Sequence, residues 1–253
     1  MNTVTLIHPR LNDGLETTIL TPNTEDYIKR QLGEIFDGEH YKKGKIKEDM
    51  VIIDCGANVG MASLYFKDTA KIIYAIEPNP QNYEALLKNT EKFGNIKCFN
   101  IGLSAKTTAG LLKEDKGSKI AETLFGQGKE VDPVSLLSID EFLKQNSIEH
   151  VDLLKLDVEG SEYLILPSLG FRKSSKKIDY IVGESHYLNE VGQMLIPDYL
   201  PLILDDMGFD VEFLPIDNLF LTLEFDDHEN IREYELKKQT MFFAKRKELE
   251  WPN

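Results

Sequence analysis

Four clusters of residues in this chain have types and spacings that could do chemistry, and each follows an apolar run. The first is Val51-Ile52-Ile53-Asp54-Cys55-Gly56-Ala57-Asn58-Val59-Gly60. Glycines where a strand meets a helix allow a tight turn and let a ligand approach the main chain beside the helix N-terminus. A dinucleotide fingerprint would read Gly-x-Gly-x-x-Gly and face a pyrophosphate. Here Asp54 comes just before the first glycine, and Asn58 stands where a second would often be. A carboxylate repels a pyrophosphate and attracts an ammonium or sulfonium. That sign of charge favours S-adenosylmethionine over NAD, with Asp54, Gly56, Ala57, Asn58 and Gly60 around its methionine end.

The second cluster is Ala75-Ile76-Glu77-Pro78-Asn79-Pro80, with Glu77 placed 21 residues after Gly56. An acid at a strand end there can accept hydrogen bonds from both ribose hydroxyls. The plain alternative is a solvated or helix-capping charge. The third is Leu153-Leu154-Lys155-Leu156-Asp157-Val158-Glu159-Gly160-Ser161-Glu162, whose strand ends at the carboxyl edge where open α/β sheets bind ligands. Asp157 or Glu159 can face the transferred methyl, position an acceptor or serve as base; alternatively Asp157 caps the next helix. The fourth is Gly183-Glu184-Ser185-His186. A hydroxyl is a poor nucleophile until a base takes its proton. Of the five histidines, His186 is the one that follows a core strand at this edge, and Glu184 either orients it or binds acceptor hydroxyls. A lone histidine is also often structural. No spacing motif supports a cation between Asp157, Glu159 and Glu184, so no metal is expected.

These clusters need a scaffold that brings strand ends together. Apolar runs at 50–54, 71–76, 96–101, 151–156 and 178–182 read as buried strands. Helical spacing follows at 61–66 and after the Asn79-Pro80 cap. A capping box, Ser138-Ile139-Asp140-Glu141, opens a helix through Asn146. Further helices are expected over 21–36, 161–168 and 199–207, and late strands over 211–214 and 241–244. Strands alternating with helices imply a parallel sheet covered on both faces. Residues 104–130 show no regular pattern. No linker interrupts the 253 residues, so one domain is expected, with an N-terminal segment over 1–48 and a core over 49–246.

A formal net charge of −14 repels phosphate backbones, which disfavours nucleic-acid partners. No apolar stretch approaches the roughly 20 residues that cross a bilayer, and no signal peptide is legible at the N-terminus. Cys55 and Cys98 are too few for a disulfide framework. A reducing cytoplasm fits these features.

In order and spacing, Ile-Asp-Cys-Gly-Ala-Asn-Val-Gly (53–60), Ile-Glu-Pro-Asn-Pro (76–80), Asn-Ile-Gly-Leu-Ser (100–104), Leu-Ser-Ile-Asp-Glu-Phe-Leu (137–143), Leu-Leu-Lys-Leu-Asp-Val-Glu-Gly-Ser-Glu (153–162) and Gly-Glu-Ser-His (183–186) resemble the FkbM-type methyltransferases over roughly residues 25–246. The resemblance implies an α/β, Rossmann-like class I methyltransferase fold. Its seven-stranded sheet would be mostly parallel, in the order 3-2-1-4-5-7-6 with strand 7 antiparallel. It implies S-adenosylmethionine as cofactor and usually an O-methyl product on a sugar, glycolipid or polyketide hydroxyl. Pro78, Asn100, Gly102 and Leu103 are expected among the cofactor-binding residues, and the adenine is expected to be met by main-chain contacts from the 100–104 stretch rather than by a side chain. Gly102 departs from the alanine that family members often carry. Two readings compete: an NAD-dependent oxidoreductase, which would need a pyrophosphate loop without Asp54, and a catalytically inactive S-adenosylmethionine-binding protein on the same fold. The Asn-Pro-Pro-Tyr signature of many amide and nucleobase methylases is absent, which favours an oxygen acceptor.

Overall fold

The computed structural model describes residues 1–253 apart from 13–15, 45–46, 116–117, 124–129, 186–198, 216–221, 226–230, 236–239 and 252–253. The chain opens with a hairpin that the sequence reading did not anticipate: β1 (Asn2–Ile7), a short α1 (Pro9–Asn12) and β2 (Glu16–Thr21), the strands pairing antiparallel. Val4, Leu6, Ile19 and Thr21 are buried at period two, as one inward face requires. The helix expected over 21–36 begins later, as α2 (Glu25–Leu32), because Thr21 ends β2. Thr24 is its cap, accepting from the Tyr27 N–H, and the helix runs on into a π-helical turn, Gly33–Asp37.

The core follows the expected alternation. β3 (Met50–Cys55) leads to α3 (Met61–Phe66), β4 (Ala70–Ile76), α4 (Pro80–Thr90) and β5 (Ile96–Phe99). Asn79 caps α4 by accepting from the N–H groups of Gln81 and Asn82, with Pro80 at the first helical position.

Residues 104–130, expected to be irregular, contribute instead to a second sheet. β6 (Gly102–Ser104), β7 (Thr108–Asp115), β8 (Ser118–Thr123) and β9 (Glu130–Ser138) lie in the order β6-β9-β7-β8. Leu112, Val134 and Leu136 supply its small apolar cluster, too few residues to stand out as a periodic pattern. α5 (Ile139–Gln145) starts at Ser138 as expected, but the capping box does not form. Ser138 makes no side-chain cap bond, and its N–H and hydroxyl are both turned to Thr107.

β10 (Val151–Leu156) follows. The helix expected over 161–168 is the shorter α6 (Glu162–Ile165), which stops ahead of Pro167, a residue with no N–H to continue the ladder, and a further helix, α7 (Leu169–Ser174), follows it. Ser168 then caps α7, accepting from the Phe171 N–H at 3.0 Å. β11 (Ile178–Ser185), α8 (Tyr199–Asp206), β12 (Phe209–Pro215), the hairpin strands β13 (Thr222–Phe225) and β14 (Ile231–Glu235), and β15 (Thr240–Arg246) complete the chain.

The central sheet has seven strands in the order β12-β15-β11-β10-β3-β4-β5. Counting its strands along the chain, that is the expected 3-2-1-4-5-7-6 order, and β15 alone runs antiparallel to its neighbours β11 and β12. β10 is buried along its whole length, as a strand covered on both faces must be. Alternate residues serve two cores. Ile52, Leu153, Val182 and Phe243 face one that includes Ile28, Phe36 and Tyr41 of the N-terminal segment. Ile53, Leu154, Ile181 and Phe242 face the other, with Phe142, Phe171 and Leu204 of the helices. Cys55 and Cys98 are free, on β3 and β5 with β4 between them. Among the described residues, no helix is long and apolar enough to cross a membrane.

Candidate functional site

Strand register assembles the site at the carboxyl edge. In parallel strands, Cα partners carry their side chains on the same face, and Lys155 of β10 is the partner of Asp54 of β3. The ammonium of Lys155 lies 3.1 Å from Asp54 Oδ1 and donates to the Gly56 carbonyl at 2.8 Å. Both side chains are buried, at 2% and 0% exposure, so the pair is shut off from water. Burial alone would drive the proton off Lys155. The carboxylates of Asp54 and Asp157 outweigh it and hold the ammonium well above its ordinary pKa. Ser63 of α3 completes Asp54, donating its hydroxyl to Oδ2 at 2.6 Å.

Asp54, expected near a cationic ligand, already has a cation and a hydroxyl beside it. Its carboxylate turns inward to Lys155 and Ser63. The acid that opens to solvent is Asp157, at 25% exposure, 3.6 Å from the same ammonium. Asp157 is not the cap of the next helix, since Ser161 occupies that position in α6. The turn between them is held by Glu162, which accepts from the Val158 N–H at 2.8 Å.

The glycine loop runs from β3 into α3 through Gly56, in the left-handed region at φ 78°. A Cβ on Gly56 would stand 1.8 Å from the Asp157 carbonyl oxygen, so the close approach of these two segments demands glycine here. The Gly56 and Ala57 N–H groups both donate to the Ile76 carbonyl, at 3.0 and 2.9 Å. Asn58 also sits at positive φ, 52°, which asparagine tolerates better than most residues and which accounts for its standing in for a glycine. Its N–H donates to Glu77 Oε2 at 2.8 Å, while the Asn79 N–H donates to Oε1 at 2.9 Å. Glu77 is therefore the clasp between the tip of β4 and the glycine loop. At 6% exposure it is not the solvated charge of the plain reading. Burial pushes its carboxyl up to about 7, against the downward pull of the Asn79 and Asn58 donors.

Asn100 fixes the next turn, donating from Nδ2 to the carbonyls of Glu77 and Pro78 at 2.9 and 3.0 Å. Gly102 and Leu103 are buried beside it on β6. Leu136 Cδ2 lies 2.8 Å from where a Cβ on Gly102 would be, so it fills the room of the more usual alanine.

Two phenols missing from the sequence reading reach this edge from the N-terminal segment. Tyr41 donates to Asp157 Oδ2 at 3.1 Å, and Tyr27 of α2 accepts from Asn58 Nδ2 at 2.8 Å. Burial raises the Tyr41 phenol well above its ordinary pKa, and the charges of Asp157, Glu184 and Asp54 push it further. Burial likewise raises Tyr27, together with Asp157 and Glu159. The carboxylates of the third and fourth clusters thus surround two protonated phenols. Glu159 holds a positive φ of 51°, and Ser185 bonds the Tyr163 hydroxyl at 2.8 Å. His186 lies outside the described residues. Among the described residues, metal-type ligands converge at His150, Asp152 and Asp179, at the opposite ends of β10 and β11, and there the Lys47 ammonium already bonds Asp152.

The signal for Lys155 was present: a charged residue in the middle of an apolar strand is rarely buried without a partner. Tyr41 left no comparable signal, because its partner is 116 residues away.

Comparison with known proteins bears on this geometry. The family model described as "Methyltransferase FkbM domain" matches residues 54–211. "Methyltransferase sdnD" of Sordaria araneosa is 27% identical over an alignment covering 70% of this chain and 80% of that protein. The "Hexuronic acid methyltransferase AglP" of Haloferax volcanii is 25% identical, over 55% of this chain and 57% of its own length. Among solved structures, a precorrin-6y C5,15-methyltransferase from Geobacter metallireducens superposes at a TM-score of 0.46 with 15% identity, covering 83% of this chain and 87% of that one.

Proposed function

The chain belongs to the FkbM methyltransferase family, and from that premise we propose that it transfers the methyl group of S-adenosylmethionine to a hydroxyl oxygen of a small molecule or glycan. The observation that carries this reading is Glu77, a buried carboxylate clasping the glycine loop at the tip of β4. Bound beside it, S-adenosylmethionine supplies an electrophilic methyl group on a sulfonium. Glu77 accepts the ribose hydroxyls. Asp157, the acid open to solvent, offers the charge that a sulfonium requires. Main-chain groups around Asn100, Gly102 and Leu103 border the base. The first 48 residues belong to the same unit, since they supply Tyr27 and Tyr41.

An acceptor entering between Asp157, Glu159 and Glu184 meets carboxylates. These accept hydrogen bonds from hydroxyls and repel anionic groups, which supports an alcohol acceptor over a carboxylate or a nucleic acid. His186 takes the hydroxyl proton as the carbon–oxygen bond forms. The cytoplasm is the proposed location.

Release of S-adenosylhomocysteine in the presence of a panel of neutral glycosides and polyols, with uronic acids as the anionic contrast, tests the reading. Turnover is expected with a hydroxyl acceptor, and His186→Ala is expected to lose roughly 10²–10⁴-fold in kcat while keeping its nucleoside affinity. Full turnover in His186→Ala would remove the base assignment.

Glu77 adds a pH signature. Its pKa rises from 4.5 to about 7 on folding, so the folded protein holds this proton more tightly than the unfolded chain does. The stabilisation from this group is complete below pH 4.5 and lost as pH rises through about 7. Because a carboxylate able to accept both ribose hydroxyls must be ionised, binding expels the proton. Affinity for S-adenosylhomocysteine is expected to rise by up to about tenfold per pH unit below 7 and to level off above it. Calorimetric titration of Glu77→Gln should give a flat profile; a slope that survives the substitution would assign the titration to another group.

A further inference from the structure

Lys155 serves two acids unequally. Its ammonium is 3.1 Å from Asp54 Oδ1 and 3.6 Å from Asp157 Oδ2, the second beyond hydrogen-bond range. Asp157 Oδ2 accepts a hydrogen bond from the Tyr41 hydroxyl at 3.1 Å. Tyr41 stands ahead of residues 54–211, which the family model matches, and its ring is buried against Phe66. Surrounded by Asp157, Glu184 and Asp54, the phenol stays protonated and acts as a donor. A neutral donor fixes the carboxylate without cancelling its charge, which an ammonium in contact would do.

We propose that Tyr41 is a positioning residue that keeps Asp157 off Lys155, leaving the Asp157 charge to the sulfonium of the methyl donor. The proposal rests on the reading that this edge of the sheet binds S-adenosylmethionine. With the hydroxyl gone, the Lys155 ammonium, already 3.6 Å away, is free to draw Oδ2 in. The carboxylate closes onto it and is neutralised as Asp54 already is. The site then loses its preference for a positive ligand while keeping its shape.

S-adenosylmethionine and S-adenosylhomocysteine differ at sulfur by one methyl group and one positive charge, so their affinity ratio reads that preference. Calorimetry with both nucleosides on wild type, Tyr41→Phe, Asp157→Asn and the double variant is the test. Phenylalanine keeps the ring against Phe66 and so keeps the fold. In Tyr41→Phe, S-adenosylmethionine is expected to bind about tenfold more weakly, with S-adenosylhomocysteine changed less than about twofold. In the Asp157→Asn background, Tyr41→Phe is expected to add nothing to the ratio. Equal weakening of both nucleosides, or a full further loss in the double variant, would leave Tyr41 as packing only and overturn the proposal. A wild-type protein that binds neither nucleoside would instead overturn the methyltransferase reading of this edge, and the proposal with it.

Discussion

Lys155→Met is expected to destabilise the fold by about 3–5 kcal/mol, seen as a lower denaturant midpoint with an unchanged slope. Methionine matches the length of the lysine stem and adds no polar atom, so the cost comes from what remains. Asp54 has no exposure and its pairing cation would be gone, leaving Ser63 as its remaining side-chain donor. The carbonyls of Gly56 and Cys55 would lose their ammonium donor in the same step. Removing one partner of a buried pair leaves an uncompensated charge, whereas removing both does not. The double variant Asp54→Asn/Lys155→Met is therefore expected to lie closer to wild type than Lys155→Met alone. A Lys155→Met midpoint within about 1 kcal/mol of wild type, the range of an exposed pair, would show that the two groups are not isolated from water.

Gly56→Ala is expected to cost about 2–5 kcal/mol and to abolish measurable nucleoside binding. Two penalties add. A Cβ is disfavoured at the left-handed φ of 78°, and it would overlap the Asp157 carbonyl oxygen at 1.8 Å. Neither atom is the free end of a side chain, so the backbone of the glycine loop or of the 157 turn must move. That motion separates the elements that Asn58 and Glu77 hold together. Gly94 is the natural control: nothing lies within 4 Å of its would-be Cβ, and Gly94→Ala is expected to stay within about 0.5 kcal/mol. Thermal unfolding and calorimetry on the two variants separate the cases; similar behaviour in both would mean that the close approach at Gly56 has slack.

Much of this was legible before any coordinates. The strands at β3, β4, β10 and β11 are apolar runs ending in glycine or acid, and their order along the chain selects the sheet. Glu77 could be singled out because its spacing from Gly56 places two strand tips side by side. The N-terminal hairpin was also readable, since Thr3, Val4, Thr5 and Leu6 alternate as a half-buried strand must. Its short length and polar threonines made the pattern easy to pass over.

The β6–β9 sheet was hidden for a different reason. Its strands carry charges such as Lys113, Glu114 and Asp115, so no apolar period marks them. Which acid is held by the Lys155 ammonium and which is more open to solvent was not legible. Asp54 and Asp157 have the same chemistry, and the choice between them depends on where the Lys155 ammonium lies. That follows from strand register and from Tyr41, a residue far away in the chain.

The most direct test of the central claim is a crystal structure of this chain with S-adenosylhomocysteine bound. The nucleoside is expected at the carboxyl edge beside the glycine loop and the tip of β4, with its ribose hydroxyls within hydrogen-bond distance of the Glu77 carboxylate. A nucleoside found elsewhere on the molecule, or at this edge with its ribose turned away from Glu77, would contradict the claim.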